Sequence, residues 1–279
     1  MATLVAQNRA MSHEASRVWA EDMSAAYDEH LVPAVFRPYA DDLAARIAAR
    51  GPRQVLELAA GTGVLTQAVL ALLPTAEVTA TDLNVAMVDV GARQVPAATW
   101  RQADAMRLPF DHASFDLVAC QFGVMFFPDR PAAYAGVARV LRPGGHFLFN
   151  CWGPLATHEV ETTVIAPLAE AFPDDPPTFL ARVPHGYHDA DRVVADLTTA
   201  GFREVHVETV ELECTGTAAD LARGYCRGTP LRAEIEARGD LDATTPVVAA
   251  ALERRFDSGQ IVGRMAALVV SAQVPNDDL

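Results

Sequence analysis

Three acids, Glu57, Asp82 and Asp104, each stand at or near the end of a short run that reads as a strand, with small or turn-forming residues close behind. Around the first, residues 54–66 read Gln-Val-Leu-Glu-Leu-Ala-Ala-Gly-Thr-Gly-Val-Leu-Thr. Val55, Leu56 and Leu58 suit a buried parallel strand, and Val64, Leu65, Ala68, Val69 and Leu72 follow at helical spacing. A strand, a glycine turn and a helix in that order let backbone groups approach a nucleotide-like ligand with no side chain between them. Two common versions of that geometry are excluded. A dinucleotide fingerprint needs a third glycine where Thr66 stands, and a phosphate loop needs a lysine, which the chain lacks altogether. Asp82 closes a second strand, 77–82, where a carboxylate can accept from both hydroxyls of a ribose.

Further landmarks follow in order. Residues 100–105 end a third strand in Asp104, 115–121 form a fourth, and 139–149 read as the end of a helix, a Pro-Gly-Gly turn and a fifth strand. Together with the acid-x-x-x-Gly-x-Gly turn, this series resembles the class I S-adenosylmethionine-dependent methyltransferases, closest to the branch of the ubiquinone and menaquinone C-methyltransferases. The resemblance covers roughly residues 54–151. It implies S-adenosyl-L-methionine as cofactor, with Tyr27, Glu57, Ala59, Gly61, Gly63, Asp82, Leu83, Asp104, Ala105 and Gln121 around it. In that family Asp82 takes the ribose, Asp104 the adenine amine, and the backbone at Gly61 and Gln121 the methionine ammonium group. The family often has glycine where Ala59 stands. Alanine fits there with a negative φ, so the expectation is a slightly repositioned loop.

The candidates for catalysis are His185 and His188, which follow a proline-rich segment where the family's acceptor wall falls, with His146 and His158 behind them. Two histidines three apart without a third ligand do not make a metal site, so no metal is expected and turnover should survive chelation. Phe122, Met125, Phe126 and Phe127 after the fourth strand suit core or the wall of an apolar or aromatic acceptor pocket.

The alternation of strands and helices over 53–151 reads as an α/β fold with a doubly wound parallel sheet, and the resemblance implies the rest: a Rossmann-like, mostly parallel seven-stranded sheet with an antiparallel last strand and helical cap elements. Residues 1–52 form an N-terminal helical cap segment, with helices at 12–30 (Ser12 as cap, Val18, Trp19 and Met23 on one face) and 41–50. Residues 53–279 form the main domain, with insertions at about 154–188 and 218–258. Within them, 159–171 reads as a helix kinked at Pro167, 172–184 as a loop, and 189–200 as a helix closed by Gly201. Residues 218–255 read as helices broken near Gly228, Gly239 and Pro246, between edge strands at 202–213 and 261–272. The insertions are expected to enclose an acceptor; formation of a homodimer is the other use of 218–258.

Composition excludes several classes. Thirty-six acids against 22 arginines give a net charge of −14, which disfavours nucleic acid. No run approaches a membrane span, and residues 1–10 carry no signal-like apolar stretch. Four separated cysteines, Cys120, Cys151, Cys214 and Cys226, suit reduced thiols in a cytoplasmic protein. The functional expectation is methyl transfer to a small, partly hydrophobic metabolite at oxygen, carbon or nitrogen. The alternative is a non-catalytic, methyltransferase-like binding or dimerisation protein.

Overall fold

The computed structural model describes residues 21–256 and 259–276. Seven strands form one sheet in the order β3-β2-β1-β4-β5-β7-β6. They are β1 (Gln54–Leu58), β2 (Glu77–Asp82), β3 (Thr99–Gln102), β4 (Phe115–Gln121), β5 (Leu141–Trp152), β6 (Arg203–Gly216) and β7 (Ile261–Gln273). The first five are mutually parallel, whereas β7 runs antiparallel to both β5 and β6. The strand order reverses between β1 and β4, so the ligand crevice of such a sheet lies at their carboxyl ends.

Buried apolar side chains cover both faces of the sheet, as parallel strands require. On one face α2 (Arg37–Ala48) packs against α3 (Val64–Leu72) through Leu43, Ile47, Leu65 and Val69. On the other, α5 (Arg130–Val140) and α8 (Ala190–Thr199) bury Tyr134, Val137, Val193 and Leu197. Short polar caps fix the helix starts: the Asn84 side chain accepts from the Ala86 amide to open α4 (Val85–Gln94), and Asp129 accepts from Ala132 to open α5.

Three readings of the sequence need correction. The helix expected to end at residue 30 and resume at 41 is continuous: α1 (Glu21–Ala26) runs through a π-helical stretch (Tyr27–Phe36) into α2. Pro33 signals a break, but the wider π turn absorbs its missing N–H without ending the helix. The part of this reading at 12–20, including Ser12, Val18 and Trp19, lies outside the described residues. The loop expected at 172–184 contains a short helix, α7 (Phe179–Arg182). Pro246 breaks nothing; α11 (Leu241–Phe256) passes through it at the cost of one backbone bond.

The helix α6 (Glu159–Ala171) does contain Pro167 in its interior. The segment between β6 and β7 folds as α9 (Ala218–Arg227), α10 (Leu231–Glu236) and α11. The β6–β7 pairing continues six rungs past the last β5 pair, Trp152 with Ala267, out to Gly216 with Ile261. That overhang carries the inserted helices to the carboxyl-end side of the sheet, where α9 packs on the π stretch and α11 on α6.

Candidate active site

A cavity of about 500 Å³ opens at the carboxyl ends of β1, β2 and β4. One half is built from the strand-end turns: Ala59, Gly61, Asp82, Leu83, Asp104, Ala105 and Gln121 all reach its wall, and Tyr27 of the π stretch faces it too. The turn after β1 holds left-handed residues at three alternate positions, Ala59 at φ +51°, Gly61 at +56° and Gly63 at +96°. Gly63 also lies against Trp100, whose ring would be 3.0 Å from an added Cβ. Ala59 therefore keeps the backbone conformation of a glycine, against the expectation of a negative φ. Its methyl sits in space that Gly123 leaves, since a Cβ on Gly123 would lie 2.5 Å from it.

Asp82 shapes this turn from the neighbouring strand. Its Oδ2 accepts from the Gly61 amide and its Oδ1 from the Asn84 amide, both at 2.9 Å. Burial raises its carboxyl above the ordinary value although these amides pull the other way. Asp104 lies two residues beyond β3 and accepts from the Met106 amide at 2.8 Å. Glu57 is behind the turn rather than on the cavity wall, 2% exposed, and accepts from the Thr66 hydroxyl at 2.5 Å. Burial pushes its carboxyl up to about 8; the Asp82 charge adds to this and Thr66 opposes it. Thr66, the residue that ruled out a dinucleotide fingerprint, is thus the partner of the strand acid. Gly63, like Glu57, supports the turn from outside the cavity.

Gln121 donates from Nε2 to the Phe36 carbonyl at 2.8 Å, while its buried Oε1 has no hydrogen-bond partner in the protein. Left-handed glycines at the turn, carboxylates at the tips of β2 and β3, and this free amide oxygen fit a ligand with a ribose, an adenine and an ammonium group.

The other half of the cavity is mostly apolar. Phe36, Phe122 and Trp152 line it, with Phe122 and Trp152 stacked 3.6 Å apart at 12°. Phe122 is itself at φ +50°, held there by the Asn150 side chain, which accepts from its amide at 2.9 Å. Phe179, Leu180 and Pro184 close one side; Tyr225, Thr229 and Pro230 of the insertion close another.

One polar group interrupts this wall. Glu161, 3% exposed, reaches the cavity and accepts from the Tyr225 hydroxyl at 3.1 Å. Behind it lie two buried imidazoles: His158 Nδ1 is 2.5 Å from Glu161 Oε2, and His185 Nε2 is 3.5 Å from the same oxygen. Burial pushes the Glu161 carboxyl up, but the imidazoles outweigh it and hold the group well below the usual carboxylate range. Glu161 and the Gly153 carbonyl raise the His185 pKa against its burial.

Of the two histidines singled out by sequence, His185 is 2% exposed and belongs to this cluster, and His188 is an exposed neighbour whose Nδ1 lies 2.6 Å from the His185 carbonyl. Neither is on the cavity wall. Glu161 and Tyr225 went unread. The spacing His158-x-x-Glu161 on one helical face was the available signal, but nothing in the sequence ties that pair to His185.

Residues 55–145 match the model of a methyltransferase domain family. Demethylmenaquinone methyltransferase of Streptomyces griseus is 31% identical over 172 residues, 58% of this chain and 74% of that protein. The protein of the same name from Deinococcus radiodurans is 36% identical over 119 residues, 41% of this chain and 49% of that protein. Among solved structures, the YcgJ protein of Bacillus subtilis superposes with a TM-score of 0.57 at 18% identity, over 84% of this chain and 99% of that one.

Proposed function

The chain belongs to the class I S-adenosylmethionine-dependent methyltransferases, and from that premise we propose that it moves a methyl group to a small, partly hydrophobic metabolite by in-line displacement. The observation that carries this reading is one continuous cavity with two unlike halves, a turn-and-carboxylate half and an aromatic half. When bound, the cofactor supplies a methyl group already activated on a sulfonium. The residues then have to bind, align and exclude water, and alignment alone is worth about 7–11 kcal/mol in favourable cases.

In this reading Asp82 holds the ribose, Asp104 the adenine amine, and Gln121 with the backbone at Gly61 the ammonium end. Tyr27, on the π stretch, covers the join between the halves. Phe36, Phe122 and Trp152 favour a planar, ring-bearing acceptor, in keeping with the names of the relatives from Streptomyces and Deinococcus. Glu161 and Tyr225 would anchor that acceptor's polar group, with His185 positioning Glu161 from behind. Among the described residues no helix is long and apolar enough to cross a membrane, and all four cysteines are buried and free, which supports a cytoplasmic setting.

The first test is calorimetric titration with S-adenosylmethionine and its demethylated product. Asp104→Ala should remove a charge-assisted hydrogen bond worth about 1.5–3 kcal/mol and weaken binding about ten- to a hundredfold. Unchanged affinity would place the adenine elsewhere; absence of binding to the unaltered protein would reject the reading as a whole.

A further inference from the structure

Both histidines behind Glu161 are anchored by the ring nitrogen that faces away from it. His158 Nε2 lies 2.9 Å from the Ala266 carbonyl oxygen, and His185 Nδ1 lies 2.8 Å from that of Gly153. A carbonyl oxygen only accepts, so His185 Nδ1 carries the proton; His158 Nε2 also lies 3.4 Å from the Ala266 amide, and the shorter contact to the carbonyl makes Nε2 a donor there too. In the neutral ring the opposite nitrogen then presents a lone pair. His158 Nδ1, His185 Nε2 and Glu161 Oε2 are those three lone-pair atoms, all within 4.8 Å of one another, all buried, and none with a hydrogen-bond partner. With both rings neutral, three buried lone-pair atoms converge on one point, and a cation between them satisfies all three.

We propose that His158, Glu161 and His185 bind a divalent first-row transition-metal ion at the acceptor end of the cavity. Two imidazoles and one carboxylate are a donor set for zinc, cobalt, nickel or ferrous iron rather than for magnesium or calcium. The backbone carbonyls on the far ring nitrogens are the outer-shell partners that fix tautomer and ring orientation in such sites. Ligands about 2.0–2.1 Å from a tetrahedral ion stand about 3.3–3.4 Å apart. The His185–Glu161 separation of 3.5 Å is close to that value, the 2.5 Å His158–Glu161 pair has to open toward it by a turn of the carboxylate, and the two imidazole nitrogens lie within 4.8 Å of each other. Glu161 is the member on the cavity wall, so the coordination position left free faces the acceptor and suits an anionic oxygen such as a phenolate or enolate. Trp152, which lines the same cavity, packs against both imidazoles, with ring centroids 5.3 Å from His158 and 6.4 Å from His185. The histidine pairing read from sequence, His185 with His188, missed this because the fold brings in His158 and Glu161 from the start of α6, twenty-odd residues earlier in the chain.

The test is binding, independent of methyl transfer. Full-length protein stripped with chelator is titrated with Co²⁺ and Zn²⁺, read by visible absorption, metal analysis and thermal melting. The expected result is about one ion per chain, cobalt absorption of a low-coordinate site and a raised melting temperature, because an ion bound only by the native state stabilises it. Quenching of Trp152 fluorescence by Co²⁺ should disappear in Trp152→Phe. Glu161→Gln, which keeps side-chain volume and an acceptor for Tyr225, and His185→Ala should each weaken binding at least about a hundredfold. Substoichiometric metal with no melting shift in the unaltered protein overturns the proposal and leaves an imidazolium–carboxylate cluster. Undiminished affinity in folded Glu161→Gln, confirmed by circular dichroism, places any bound ion elsewhere and overturns it equally.

Discussion

Ala59 holds a left-handed backbone that costs an L-residue about 1–2 kcal/mol, yet its methyl fills the hollow beside Gly123. The two effects oppose each other, so Ala59→Gly should change stability by less than about 1 kcal/mol, whereas Ala59→Val, β-branched at positive φ, should cost more than about 2 kcal/mol in urea titrations. Glu57 sets a pH signature. Its folded carboxyl titrates at about 8 against an ordinary 4.5, so the native state keeps a proton that the unfolded chain has released. Between those values this group's contribution to stability falls as pH rises and is gone once pH passes the folded pKa. Glu57→Gln should therefore flatten the decline from pH 5 to 8; an unchanged slope in paired unfolding curves would show that Glu57 ionises normally. Residues like these were half legible. The acids and glycines were visible by type and spacing, but the glycine-like state of Ala59 depends on Gly123, sixty-four residues away, and no local pattern encodes that.

The π stretch is the element on which the cap rests. Leu31 and His30 of that stretch fill the space beside Gly224 in α9, where an added Cβ would lie 2.7 Å from Leu31, and the Tyr27 backbone approaches Gly228 as closely. Two glycines thus let a helix of the insertion sit directly on the helix that covers the cofactor half. Gly224→Val should overpack this contact by about 1–3 kcal/mol and loosen α9. Steady-state kinetics should show a raised KM for the acceptor with cofactor affinity nearly unchanged; equal loss of both would mean that the contact serves the fold alone. The strands β1, β2 and β4 could be read almost to the residue, because short apolar runs flanked by turn residues are local signals. The π stretch could not, because Pro33 announces a break that only tertiary packing overrides, and α7 is too short to carry a periodic signal.

At the scale of the whole molecule, the cavity is closed by chain from before and after β6: Phe179 and Leu180 precede that strand, Tyr225 and Pro230 follow it. If these segments enclose the acceptor, hydrogen exchange should show protection spreading into 172–188 and 218–256 when acceptor joins the cofactor product. An insertion equally protected with and without acceptor, whose deletion yields monomers from a dimer, would instead make it an assembly surface. The parallel, doubly wound character of the sheet was legible from the alternation of strand and helix, but its strand order and the reach of the β6–β7 overhang were not, since pairing is a property of two strands together. That overhang ends on a single rung, Gly216 opposite Ile261. A segment that leaves and re-enters a ladder at one rung can be exchanged for another of different length with little change in closure entropy and none in the strands beneath. The insertion is in this sense a cartridge: a lineage could trade it for another and redirect the enzyme to a new acceptor, while the strand tips bearing Glu57, Asp82 and Asp104 stay as they are.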